Sequence, residues 1–318
     1  MIYLCYAVVI LYFLFLILSL LVYKRVFKAD KKHNCDPKVI ESRMKGKVDD
    51  KRIGYLVDKI LLTRHEEVYI TSHDGLTLFG RYYHVKDGAP IDIHFHGYRS
   101  LSARDCCGVF RISCELCHNV LLVDERAHGK SDGKVISFGI NERYDCLEWA
   151  KYCENRFGKD CKITLIGLSM GAATVLMASS LELPENVVGI ISDSAYTSPV
   201  EIIEKVSRDM KIPPSVVSCL AVAGAKLFGH FDLCESTAER EVKKCKKPVL
   251  FIHGENDYFV PSYMTRKIYA ACDSKKRISI LKNSGHCSGY IFNTERYIKE
   301  ITDFFDYVLG NSPKINKI

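Results

Sequence analysis

The spacing of apolar and polar residues along the chain changes several times. From Ile2 to Tyr23 there is no charged residue. That stretch is long enough to cross the hydrocarbon core as a helix, so residues 1–23 read as a transmembrane anchor. Residues 24–64 are rich in charge, and Ile53, Leu56, Ile60 and Leu61 recur there at helical spacing. They predict a basic linker followed by a helix resting on a domain. From Glu66 the period falls to two, with EEVYITS and TLFGRYYHV flanking HDGL. Asp74-Gly75 tolerates the positive φ of a tight hairpin turn, so two paired strands are expected.

Short apolar runs then alternate with helical patterns. IDIHFHG, NVLLVDE, KITLIGLS and VVGIISDS read as strands, separated by helices near Arg104 to Cys117, near Ile140 to Phe157 and from Met170. Near-continuously apolar strands separated by helices form a mostly parallel sheet covered on both faces, which is an α/β architecture. The repeat is interrupted between Tyr196 and Lys247, where Pro213-Pro214 breaks a helical stretch, and PVLFIHGEND then resumes the sheet. An excursion at that edge is where a small helical cap over a site would sit. KRISILKN and a helix near Glu295 to Leu309 close the domain. The expected domain spans 65–310, with the cap at about 196–247 and a tail at 311–318.

Composition narrows the function classes. With 318 residues, 47% of them hydrophobic, the chain can bury a full core, and one catalytic domain plus an anchor is expected. The net charge of +7 is spread along the chain without an aromatic-interleaved basic array, which argues against nucleic acid as a partner. Fourteen cysteines are irregularly placed, many in apolar segments such as those of Cys146, Cys153 and Cys161. Free thiols in a reducing compartment fit that pattern better than a disulfide scaffold. Cys114 and Cys117 have CxxC spacing, but no second pair follows at zinc-ribbon distance and the segment reads as an amphipathic helix.

Lys24, Arg25, Lys28, Lys31 and Lys32 all flank the apolar segment on its C-terminal side. They predict a single-pass protein whose domain faces the cytoplasm. A basic n-region and small residues before a cut would mark a cleavable signal, and neither is present, so a retained anchor is expected.

The chemistry gathers around GLSMGA, residues 167–172. An apolar strand runs into Gly167-Leu168-Ser169-Met170-Gly171 and on into an Ala-rich helix, the context a G-x-S-x-G elbow requires. Ser169 is the candidate nucleophile; a tight packing turn is the plainer reading. A base should follow late in the chain, and His286 in SGHC lies after the last strand. An acid should lie between them, and Asp257 follows the strand VLFI in HGENDYFVP. Asp193 after VVGIIS is the rival acid and Glu255 a lesser one. Oxyanion donors are expected from the backbone N–H groups of Met170, at the helix start, and Tyr98, in FHGYRS. His94 and His96 also have metal-like spacing, but no carboxylate cluster accompanies them, and His96 is read as a brace for that loop.

FHGYRS, VDERAHGKSDG, GLSMGA, ISDSAYTS, FIHGENDYFVP and SGH occur here in the order found in the α/β-hydrolase superfamily. Together, over roughly residues 66–309, they resemble bacterial membrane-anchored serine hydrolases of the serine aminopeptidase and acyl-ester hydrolase branch. The resemblance implies a triad of Ser169, Asp257 and His286, with Tyr98 and Met170 at the oxyanion hole. It also implies that Asp124, Arg126, His128 and Asp132 form a hydrogen-bonded structural loop. Tyr196 and the cap are candidate substrate contacts. The run Lys243 to Lys247 is a solvated face or a patch against an anionic leaflet. The expected activity is cleavage of a carboxylic ester or thioester without a cofactor. Peptide cleavage and a noncatalytic membrane-tethered binding module are the alternatives.

Overall fold

The protein is described from a computed structural model covering residues 1–29 and 50–310. The expected linker between 30 and 49, with Lys31 and Lys32, and the tail 311–318 lie outside the described residues. Eight strands form one sheet in the order β1-β2-β4-β3-β5-β6-β7-β8. These are β1 (Glu66–Thr71), β2 (Thr77–Tyr83), β3 (Ile91–Phe95), β4 (Asn119–Asp124), β5 (Ile163–Leu168), β6 (Val187–Asp193), β7 (Val249–Gly254) and β8 (Lys276–Leu281). β1 pairs antiparallel with β2 and β2 antiparallel with β4, while every pairing from β4 to β8 is parallel.

The alternating segment from Glu66 becomes the antiparallel edge, turned at Gly75 with φ +86°. The four continuously apolar runs become β3 to β6, buried along nearly their whole length. Helices cover both faces, as buried parallel strands require. Helix Glu142–Phe157 packs toward the core through Trp149, Ala150 and Cys153. On the other face, helix Thr294–Phe305 buries Tyr297, Ile301, Phe304 and Phe305. Helix Asp50–Leu62 rests on that face with Leu56 and Ile60 buried; Leu61, expected on the same stripe, is exposed.

Between β6 and β7 the chain forms helices Pro199–Asp209 and Pro214–Phe228, followed by short helical turns at Ala238–Glu241 and Val242–Lys244. Pro213 and Pro214 separate the two long helices, because proline suits the first helical position and not the interior. The N-terminal helix, Ile2–Val26, is exposed up to Leu14 and packs against helix Pro214–Phe228 beyond it. Gly224 permits that approach: a Cβ there would lie 2.7 Å from the Ser19 carbonyl oxygen. The rings of Tyr23 and Phe228 meet at 5.9 Å, and Phe27 is fully buried between Phe138 and Phe231.

Lys243, Lys244 and Lys246 are exposed just before β7 begins. This is the edge of the sheet opposite the strand ends that carry Ser169 and Asp257.

Candidate active site

β5 ends at Leu168, and the next residue turns directly into helix Met170–Ala178. Ser169 sits at that corner with φ 55° and ψ −113°, a conformation that a residue with a side chain rarely adopts. Two glycines make the corner possible. A Cβ on Gly167 would lie 2.2 Å from the Gly171 carbonyl oxygen, and one on Gly171 would lie 2.2 Å from that of Phe95. Only glycines let the helix pass this close to β3 and β5.

The structure brings Ser169, His286 and Asp257 into one hydrogen-bonded row. Ser169 Oγ is 2.8 Å from His286 Nε2, and His286 Nδ1 is 2.7 Å from Asp257 Oδ2. A carboxylate only accepts, so the imidazole proton sits on Nδ1 and Nε2 is left to accept from the Ser169 hydroxyl. The Asp257 side chain is fully buried, and its other oxygen accepts the backbone N–H groups of Phe259 at 3.0 Å and Val260 at 2.8 Å. Burial alone would raise its pKa, but hydrogen bonds from His253 and His286 outweigh that and hold the carboxyl well below the usual carboxylate range.

His253 was not singled out in the sequence, although it lies in the quoted FIHGEND run. Its Nε2 is 2.7 Å from the Val260 carbonyl oxygen and 3.1 Å from Asp257 Oδ2, while Nδ1 meets the Thr265 hydroxyl at 2.7 Å. Its Nε2–H therefore donates to the Val260 carbonyl and lies beside the same Asp257 oxygen that His286 contacts. The only sequence signal was a histidine four positions before an acid at a strand end.

The rival acids do not contact His286. Asp193 ends β6 but accepts from the hydroxyls of Tyr297 at 3.0 Å and Ser194 at 2.9 Å, and burial raises its pKa. Glu255 is exposed.

The FHGYRS loop lies against the serine, where a Cβ on Gly97 would be 3.3 Å from the Ser169 Cβ. Asp105, His96 and His128 hold its backbone. Asp105 accepts the Gly97 N–H at 2.9 Å and the Ser100 hydroxyl at 2.6 Å. His96 accepts the Glu125 N–H at Nε2 and donates from Nδ1 to the Gly97 carbonyl at 2.8 Å. His128 accepts the Arg99 N–H at Nε2, 2.9 Å away, and donates from Nδ1 to the Arg126 carbonyl. Burial holds the His128 pKa well below its ordinary value, which keeps that imidazole neutral and able to accept.

Met170 is the first residue of its helix, so its N–H belongs to the turn that lacks intrahelical partners. Tyr98 lines the same pocket as Ser169.

The DERAHGKSD loop consists of braces. Asp124 accepts from the Ser102 hydroxyl at 2.9 Å and the Lys130 N–H at 3.1 Å, and Asp132 accepts the Thr77 N–H at 3.2 Å. Arg126 grips Asp145 at 2.6 Å and Asp74 at 2.8 Å. His73, Asp74 and Asp145 have metal-ligand spacing, but this guanidinium already supplies the positive charge between the two carboxylates.

Tyr196 is not brought to the site. It is buried, its hydroxyl donates to the Phe138 carbonyl at 3.0 Å, and it does not line the pocket beside Ser169. That pocket, of about 270 Å³, is walled by apolar residues including Val109, Leu168, Phe259, Tyr290 and Ile291, with Arg99 and Arg104 among its polar lining. Ile53 of helix Asp50–Leu62 contributes to it, a role its amphipathic spacing did not signal.

No protein-family model matches the chain. It is 28% identical over 230 residues to the uncharacterized protein YqkD of Bacillus subtilis, covering 70% of this chain and 74% of that one. The Pyrococcus furiosus esterase Pf2001 superposes with a TM-score of 0.65 at 21% identity, covering 83% of this chain and 96% of the esterase. The α/β hydrolase GrgF from Penicillium sp. sh18 superposes with a TM-score of 0.61 at 18% identity, covering 78% of this chain and all of the other, 100%. The chain has the α/β-hydrolase fold.

Proposed function

We propose that this protein is a membrane-anchored serine hydrolase that cleaves carboxylic esters or thioesters through an acyl-enzyme. The observation that carries the reading is the hydrogen-bonded row Ser169–His286–Asp257 on a strained elbow at the mouth of a largely apolar pocket. In this scheme the Ser169 hydroxyl attacks the acyl carbonyl while His286 Nε2 takes its proton. The carbonyl oxygen becomes an oxyanion between the N–H groups of Met170 and Tyr98. Collapse expels the alcohol or thiol, which receives the proton back from His286. Water then repeats the sequence on the acyl-enzyme, releasing the acid and restoring Ser169. Asp257, ionised because its pKa is depressed, holds the Nδ1–H tautomer and stabilises the imidazolium that forms.

The anchor is the N-terminal helix Ile2–Val26, with a mean hydropathy of 2.8 over its most apolar window. Two observations favour a retained helix. Its last turns are packed into the fold, and its exposed portion is apolar. Lys24, Arg25 and Lys28 at its end favour a cytoplasmic domain. So do the cysteines among the described residues, which are unpaired.

The test is intact-mass analysis and peptide mapping after a fluorophosphonate probe, on the wild type and on Ser169→Ala. One adduct at Ser169, absent from the variant, with ester turnover falling roughly a thousandfold or more, is the expected result. Folded wild type that takes no adduct would overturn the reading.

A further inference from the structure

The end of the N-terminal helix is bonded to the loop beside Ser169. A helix leaves its last carbonyls without intrahelical partners, and they carry the negative end of the helix dipole. Here two residues of the FHGYRS loop satisfy two of them, those of Arg25 and Val26, and reach Lys28 just beyond the helix. The Tyr98 hydroxyl donates to the Val26 carbonyl at 2.7 Å. The Arg99 guanidinium donates from one nitrogen to the carbonyls of Arg25 and Lys28, each at 3.0 Å. Its charge lies at the helix end where a cation is favoured. Behind these contacts Phe27 is fully buried, and its carbonyl accepts the Ile136 N–H at 2.8 Å. The Ala29 N–H donates to the Lys134 carbonyl at 2.9 Å.

Arg99 has φ 52°, a conformation that persists in a residue with a side chain only when its surroundings enforce it. His128 holds the Arg99 backbone from inside the domain, and the helix end holds its side chain from outside.

We propose that the N-terminal helix is part of the reaction site: through Tyr98 and Arg99, its terminal carbonyls hold the loop that presents the Tyr98 N–H to the oxyanion. Tyr98 and Arg99 are positioning residues through their side chains. The inference rests on the hydrolase reading above. It implies that the anchor does more than localise the enzyme, because the geometry of the reacting centre depends on the helix being seated.

The test uses the full chain in detergent or lipid nanodiscs, with variants Arg99→Met, Arg99→Lys and Tyr98→Phe. The readouts are turnover of p-nitrophenyl butyrate, thermal midpoint, and affinity for a trifluoromethyl ketone, whose hemiketal with Ser169 places an oxyanion in the same position. Arg99→Met should lower kcat roughly ten- to hundredfold, less than outright removal of an oxyanion donor, with KM little changed. Ketone affinity should fall by the same factor, and Arg99→Lys should recover part of both. Tyr98→Phe keeps the ring that packs 5.0 Å from Phe138 and removes only the hydroxyl, so it decides the case if Arg99→Met fails to fold. Its kcat and ketone affinity should fall together by about two- to tenfold, the value of one hydrogen bond. Unchanged kcat and ketone affinity in Tyr98→Phe, or in a folded Arg99→Met, overturn the inference, as does a change confined to KM. Fluorophosphonate labelling in parallel separates the two readings. A labelled wild type with indifferent variants removes only the role of the helix, and an unlabelled wild type removes both.

Discussion

Asp257→Asn changes one oxygen to an NH2 group in a fully buried side chain and alters almost no volume. The native carboxylate receives the His286 Nδ1–H at 2.7 Å and two backbone N–H groups at 3.0 Å and 2.8 Å, and the His253 Nε2–H, bonded to the Val260 carbonyl, lies 3.1 Å from it. Every one of these partners is a donor. The backbone groups cannot change role, so the amide oxygen of asparagine stays with Phe259 and Val260 and the NH2 turns toward the histidines. His286 must then accept at Nδ1 and carry its proton on Nε2, where it can no longer take one from Ser169. The elbow, the proposed oxyanion donors and the pocket are untouched.

The expected loss is therefore that of the base alone, on the order of ten-thousandfold in kcat, or about 5 kcal/mol of transition-state stabilisation. KM should move little. The assay is ester turnover near pH 7.5, with the thermal midpoint showing that the variant is folded. A folded variant within tenfold of the wild type would mean that Asp257 does not govern the tautomer, and the proposed mechanism would lose its third member.

Two further outcomes follow from buried ionisable groups. Asp193→Asn should leave kcat within about threefold of the wild type, because the residue bonds to Tyr297 and Ser194 and not to His286; a loss comparable to that of Asp257→Asn would identify it as the working acid. Burial holds the His94 pKa down to about 4. An unfolded histidine takes its proton near pH 6.5, so stability from the neutral imidazole is present above that pH and is lost as pH falls from about 6.5 to 4, a change of about 3 kcal/mol. His94→Met should flatten denaturant stability over that interval, and parallel curves for variant and wild type would refute the assignment.

The sheet was legible along the chain because each strand advertises its own burial. Alternation over Glu66 to Tyr83 marked an antiparallel edge, of which β1 is largely exposed and β2 is buried, and continuous apolar runs marked strands covered on both faces. Ser169, His286 and Asp257 were legible as candidates for a related reason. Each follows an apolar run, so each lies where the parallel strands end together. Choosing between Asp257 and Asp193 was not possible from spacing alone. Both acids follow strands, and only the folding of the loops puts one beside His286 and the other beside Tyr297.

Tyr196 shows the opposite limit. It stands at the entrance to the cap in sequence, yet its ring packs inward and its hydroxyl pairs with Phe138. His253, Asp105 and the bonds from Tyr98 and Arg99 to the N-terminal helix have no local signature either. They join residues 4, 8 and more than 70 positions apart by hydrogen bonds. The periodicities, the elbow and the long apolar helix could be read along the chain, because those follow from residues adjacent in it. Which acid serves the histidine, what lines the pocket and where the helix end docks were decided only by tertiary structure, since hydrogen bonds and packing act between neighbours in space.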